Sequence, residues 1–238
     1  MGALFFIIGA CFGSFFNVCR YRLPRKKSIA SPPSYCPQCK HLIAWYDNIP
    51  ILSYSLLKGK CRYCLKKIPL TYLIVELISA GVFLTTFLKF GMSMKLLVYL
   101  AFFSLLIVGS AIDAEREIIP DIITIPGIIL GLATSFLTIG VFSSLIGGAV
   151  GAVVVAFFAI LGKLLFKKEA MGGGDIKLLA MIGSFIGWAD VLWVLFLASF
   201  IGLVFGLLLR KEKIRFGPFL SMTSFIIILV GTPSKFLL

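Results

Sequence analysis

Residues 95–117 read KLLVYLAFFSLLIVGSAIDAERE. Between Lys95 and Asp113 no charged residue interrupts the run. A helix over 96–112 rises about 1.5 Å per residue and so reaches roughly 26 Å, close to the hydrocarbon thickness of a bilayer. Comparable apolar runs recur at 2–19, 70–88, 122–142, 144–162, 176–189, 191–209 and 217–231. The chain has 238 residues, 60% of them hydrophobic and only 14% charged, too little charge to cover a soluble domain of this size. The expected fold is an all-α polytopic membrane protein with about eight transmembrane helices. The run at 176–189 is the weakest: its helix covers about 21 Å, so either Gly183 and Gly187 let it pack closely or its start lies below the membrane surface.

The net charge of +13 reports topology before it reports a partner. Eight crossings put the loops 20–69, 113–121, 163–175 and 210–216 on one side, and with Lys177 these carry 20 of the 23 Lys and Arg residues. Lys89, Lys95 and Lys235 fall opposite. Basic residues are retained in the cytoplasm, so those loops are expected there and both termini outside. A nucleic-acid partner is not needed to explain the basicity. The first run, GALFFIIGACFGSFF, has no basic residue before it and Arg20 after it, the reverse of a cleaved signal; it reads as a retained helix.

The segment 20–69 contains SYCPQCKHLIAWYDNIP and KGKCRYCLKKIP. Cys36 and Cys39 form one C-x2-C, Cys61 and Cys64 another, and two such turns can offer four thiolates to one tetrahedral Zn²⁺. A segment this short has too little core to fold alone, which suits a metal staple. Four protein ligands close the coordination shell, so the role is structural. Disulfides are the alternative, disfavoured in a reducing compartment; a redox motif is another, without the βαβ pattern that would accompany it. His41 ranks below the four thiols as a ligand, and Cys11 and Cys19 read as packing residues.

The ten acids divide by position. Asp190 reads as an N-cap, Asp47 as a turn residue, and Glu169 and Glu212 as solvated charges among lysines. Glu76 either hydrogen-bonds a neighbour or lines a cavity. Asp121 is placed to cap the helix that follows Pro120. Asp113 sits at a helix C-terminus, where the macrodipole opposes a negative charge. In EAMGGGDIKLLA (169–180) Asp175 opens an apolar helix, where it either caps that helix or does chemistry. Asp113 and Asp175 are expected at one depth on one side, where ionisable residues face a bundle interior or a wet cavity. Two carboxylates in one cavity cannot both ionise cheaply, so one keeps a proton. The ionised member can take a proton from water while the other polarises a peptide carbonyl, which is aspartic-protease chemistry. Gly172, Gly173 and Gly174, lacking Cβ atoms, would let substrate backbone approach. His41 is the only histidine, which argues against a Ser–His–Asp triad.

Together these stretches resemble the type IV prepilin peptidases of bacteria: FGSFFNVCRYRLP, CPQC…WYDNIPILSY…GKCRYC, IPLTYLIVE, Asp113 with IIPDIIT, GGGDIKLLAMIGSFIGW and FGPFL. GGGD also fits the GxGD signature of intramembrane aspartic proteases. Where family sequences often carry a basic residue and YP, this chain has IPLTYLIVE. The resemblance implies an enzyme of the inner membrane that removes the short basic leader of prepilins or pseudopilins at the cytoplasmic face, with Asp113 and Asp175 as the catalytic pair. It also implies methylation of the new N-terminus using S-adenosylmethionine, for which Gly59 and Lys60 are the candidate residues. The implied domains are a first transmembrane helix (1–19), a four-cysteine zinc-binding domain (20–69) and a seven-helix peptidase domain (70–238). Glu115 and Glu117, in a stretch of four acids against Arg116, are expected to attract the basic leader. The competing reading is a proton-coupled transporter with membrane-edge aspartates; it leaves the cysteines and the glycine run without a purpose.

Overall fold

The structure, a computed structural model, describes residues 1–166, 172–209 and 215–231. Glu169, Glu212 and Lys235 lie outside the described residues. Two compact units, Met1–Met92 and Ser93–Leu238, make up the chain.

In the first unit α1 (Gly2–Arg22) packs along α3 (Thr71–Phe90). Hydrophobicity does not distinguish a helix neighbour from a lipid tail, so backbone proximity has to hold such a pair together. Gly9 and Gly13 provide it: a Cβ on Gly9 would lie 2.6 Å from the Ser79 carbonyl, and one on Gly13 2.7 Å from the Glu76 Cα. Phe5 stacks on Phe87 with centroids 4.3 Å apart, and the Asn17 amide donates to the Tyr72 carbonyl at 2.9 Å. Between these helices lie two 3-10 turns, Leu23–Arg25 and Trp45–Asn48, and the short helix α2 (Leu52–Leu56). The buried Arg22 guanidinium donates to the carbonyls of Ser28 (3.0 Å) and Pro32 (2.7 Å), so the chain leaving α1 wraps around a single cation.

Glu76 takes the first of its two expected roles. Its Oε2 accepts the Ile51 N–H at 2.7 Å. Ile51 stands at φ 64°, ψ −51°, the centre of a γ-turn closed by the Leu52 N–H on the Pro50 carbonyl at 2.6 Å. That conformation is costly for a β-branched residue. The carboxylate from α3 holds it in place and sets the start of α2.

In the second unit α4 (Met94–Arg116), α5 (Asp121–Thr134), α6 (Val141–Phe166), α7 (Gly173–Ile186), α8 (Trp188–Leu209) and α9 (Gly217–Val230) form a helical bundle. The centre is α7, which touches α5, α6, α8 and α9. Every residue from Leu178 to Ile186 is buried. Its contact with α6 is backbone against backbone: a Cβ on Gly183 would lie 2.1 Å from the Gly147 carbonyl, and one on Gly151 2.4 Å from the Leu179 carbonyl. Ser144 donates to the Ser184 carbonyl at 2.6 Å, and Phe102 of α4 stacks on Phe185 at 4.3 Å. The close packing expected of Gly183 and Gly187 is present: a Cβ on Gly147 would lie 2.8 Å from the Gly187 Cα, and Gly187, at φ 89°, also ends the helix.

Among the described residues the fold is all-α, with two isolated bridge pairs and no strand. Among the described residues five helices are long and apolar enough to cross a membrane, and Asp121–Leu137 and Gly217–Val230 are shorter apolar helices. The run expected at 122–142 stops early: α5 ends at Thr134, continues as a 3-10 turn through Leu137, and α6 starts at Val141 after Gly140 at φ 86°. Three cap positions also differ from expectation. Pro120 is the N-cap of α5 and Asp121 its first residue. Gly172 is the N-cap of α7, with Asp175 third inside. Asp190 lies inside the first turn of α8, which begins at Trp188.

Candidate active site and candidate metal centre

Asp113 occupies the last turn of α4, 6% exposed. Glu117 then closes the helix in the left-handed region, its N–H donating to the Asp113 carbonyl at 2.9 Å. The chain runs on through Ile119 to the start of α5. Against this connection rests the first turn of α7: a Cβ on Gly174 would meet the Ile119 Cβ at 3.1 Å. The half-buried Asp175, one residue on, lies within Coulombic reach of Asp113. The two aspartates that the sequence singled out therefore lie near one another in the second unit.

Each carboxylate is held through its Oδ2 by the backbone N–H of a glycine. Gly172 donates to Asp175 at 3.2 Å, and Gly217, the first residue of α9, donates to Asp113 at 3.0 Å. The three glycines before Asp175 thus have separate situations. Gly172 supplies a donor, Gly173 faces open space, and Gly174 lies close against Ile119.

Exposed ion pairs border the site. Lys177 Nζ meets Asp121 Oδ1 at 2.6 Å, and Arg215 meets Glu117 Oε1 at 3.6 Å while also donating to the Ala114 carbonyl. Glu115 is exposed. Pairs this open to solvent are each worth about 0–1 kcal/mol, so other charges can replace their members. Lys177, Arg215 and Gly217 were not identified from the sequence. The only available signal was the Gly-Pro of FGPFL, a pair suited to a helix start.

In the first unit the Sγ atoms of Cys36, Cys39, Cys61 and Cys64 all lie within 4.8 Å of one another. Zn–S bonds of about 2.3 Å in a tetrahedron put sulfurs about 3.8 Å apart, and Cys36 and Cys64 are separated by 3.9 Å. The four residues fit a zinc ion. The two cysteine turns repeat one design. Cys36 N–H donates to the His41 carbonyl and Cys61 N–H to that of Lys66; Lys40 N–H returns to Cys36 and Leu65 N–H to Cys61. Lys40 and Leu65 share a positive φ, at 63° and 57°. Hydrogen bonding, first from the Cys64 N–H, pulls the Cys61 thiol down to about 7. At Cys64 the lowering by the Lys66 N–H is outweighed by burial and the neighbouring thiols, which push it up to about 11; a metal needs both as thiolates. His41 stands apart from the sulfurs, its ring on Tyr63. Asp47 takes a bidentate hydrogen bond from Arg62, at 2.6 and 2.8 Å, which holds its carboxyl below the usual range. Purified protein is expected to carry about one zinc per chain; Cys36→Ser/Cys64→Ser should lose it by elemental analysis and expose 26–69 to protease.

Gly59 is buried at φ 66°, donating to the Tyr54 carbonyl at 2.8 Å and accepting from the Ile68 N–H at 2.7 Å. Lys60 beside it is exposed.

Two family models match the chain: the bacterial peptidase A24 N-terminal domain over residues 7–90 and the type IV leader peptidase family over residues 100–207. The cysteine cluster falls in the first span and both aspartates in the second. Among curated relatives, a prepilin leader peptidase/N-methyltransferase of Myxococcus xanthus (strain DK1622) is 40% identical over 215 residues, 90% of this chain and 64% of the relative. The chain thus spans just under two thirds of that relative's length. Proteins of the same name from Klebsiella pneumoniae and Pseudomonas putida are 36% and 33% identical, covering 83% and 94% of this chain and 90% and 89% of their own lengths. No solved structure matches.

Proposed function

The chain belongs to the type IV leader peptidase family, and on that footing we propose that it removes the short basic leader of type IV prepilins or pseudopilins by aspartic-protease chemistry. The observation that carries the reading is the nearness of Asp113 and Asp175, within Coulombic reach of one another and each anchored by one glycine amide. In the proposed reaction the pair shares one proton. The ionised carboxylate takes a proton from water as the water oxygen bonds to the scissile carbonyl carbon. The protonated carboxyl hydrogen-bonds to the carbonyl oxygen as charge develops there. Collapse of the tetrahedral species breaks the C–N bond, and the departing amine takes up the proton held by the pair. Gly173, with nothing within 4 Å of its Cβ position, gives substrate backbone room at the mouth.

The leader's positive charge would be received by Glu115 and Glu117, the latter exchanging its pairing with Arg215 for the substrate. Exposed charges act over a Debye length of roughly 10 Å at moderate salt. Glu115→Gln/Glu117→Gln should therefore cleave less efficiently than the parent at low salt and approach it at high salt; equal cleavage at low salt refutes this role.

The positive-inside asymmetry of the sequence supports eight crossings of a bacterial inner membrane, both termini outside and the site at the cytoplasmic face. We assign residues 20–69 to a structural zinc domain and 70–238 to the peptidase. The enzyme is further proposed to methylate the new N-terminal residue, with S-adenosylmethionine supplying the methyl group when bound. The amide and carbonyl of Gly59 are already engaged within the fold, so the exposed Lys60, a cation suited to the donor's carboxylate, is the stronger of the two candidates. Incubating purified protein and S-adenosylmethionine with a prepilin, then weighing the product, tests both activities. Loss of the leader mass and gain of one methyl are expected; an intact prepilin refutes the reading.

A further inference from the structure

We infer that Gly217 is a positioning residue for Asp113, and that the N-terminal turn of α9 is a clamp built to hold that carboxylate. This rests on the catalytic role proposed for Asp113. The aspartate is badly placed by its own helix, buried at the C-terminal end of α4, where the peptide dipoles oppose its charge. Compensation comes from 104 residues away, as the buried Gly217 N–H on Oδ2, at the favourable end of α9. A second contact fixes the same two helix ends. Ser110, one turn before Asp113, donates to Ser221 Oγ at 2.5 Å, and Ser221 lies one turn after Gly217. Arg215 completes the clamp through the Ala114 carbonyl and Glu117.

The fit leaves no space for a side chain at 217 unless the Asp113 carboxylate moves. A Cβ at 217 would stand 2.8 Å from Asp113 Oδ2 and 3.2 Å from both its Cβ and Cγ. Glycine at this position is therefore set by the aspartate it faces; φ at Gly217 is not in the left-handed region.

The test is Gly217→Ala in the full-length protein, assayed on a prepilin peptide. Displacing a reacting group by about 1 Å costs about 10²-fold, so kcat should fall about 10²-fold with KM nearly unchanged. Unchanged kcat overturns the inference. A readout independent of activity accompanies it: Gly217→Ala should lower the thermal midpoint in the parent and much less in an Asp113→Ala background, where the clashing carboxyl is gone. Equal destabilisation in both backgrounds also overturns the inference, including where Gly217→Ala accumulates poorly. Asp113→Asn separates the two ideas. If it cleaves normally, the catalytic reading fails; if it is inactive while Gly217→Ala is normal, only the clamp fails.

Discussion

Asp113→Asn and Asp175→Asn are each expected to lose leader cleavage by about 10³-fold or more, while the protein still inserts and purifies. The size follows from the roles. General acid–base catalysis alone is worth about 10²–10⁴, and an amide can neither deprotonate water nor share a proton. If the two carboxylates act as a unit, as proposed, the double variant should be hardly worse than either single one. Asp121→Asn is the control: its carboxylate pairs with Lys177 in the open, with side chains 57% and 44% exposed, and activity should stay within about threefold of the parent. Mass spectrometry of the cleaved prepilin reads all four. Full cleavage by either dyad variant would end the mechanism.

The second large effect is on stability. Gly183→Val should lower the thermal midpoint of the purified protein by about 10 °C, because the new Cβ lands 2.1 Å from a backbone carbonyl that cannot rotate away. Overpacking typically costs 1–3 kcal/mol, and this contact belongs at the upper end; about 3 kcal/mol in a chain this long corresponds to a shift of that order. The helix it disrupts carries Asp175, so activity should decline with stability. Gly173→Ala, where the Cβ meets nothing within 4 Å, should leave the midpoint nearly unchanged. A Gly183→Val midpoint equal to the parent's would mean that α6 and α7 do not cross at their glycines.

Hydropathy made the helices legible because a span must be apolar along its whole length, and the candidate site because ionisable groups are rare there. Boundaries were less so. The stretch from Leu132 to Val141 stays apolar enough to read as continuous, yet the backbone turns at Gly140, and hydropathy does not register a dihedral angle. The aspartates at helix starts were recognised as helix-start residues but misplaced by one to three positions. Capping rules look for a side chain outside the first turn, whereas Asp175 reaches back from inside it to Gly172. The cysteine cluster was readable from local spacing. What local spacing could not show was the Gly217 amide on Asp113 or the Glu76 carboxylate under Ile51, since each joins segments whose meeting depends on the completed fold.

The shortness of two helices has a consequence for water. At 14 residues each, α7 and α9 reach only about 21 Å, against a hydrocarbon layer of about 30 Å. They touch each other, and each contributes one of the glycine-anchored ends described above. A bilayer answers such hydrophobic mismatch by pinching inward around the stunted elements. A hydrolase buried in oil would otherwise need a dedicated channel to hydrate its substrate. With α7 and α9 crossing as proposed, the deficit of about 9 Å would bring the aqueous phase toward the carboxylates, with the lipid itself making the indentation.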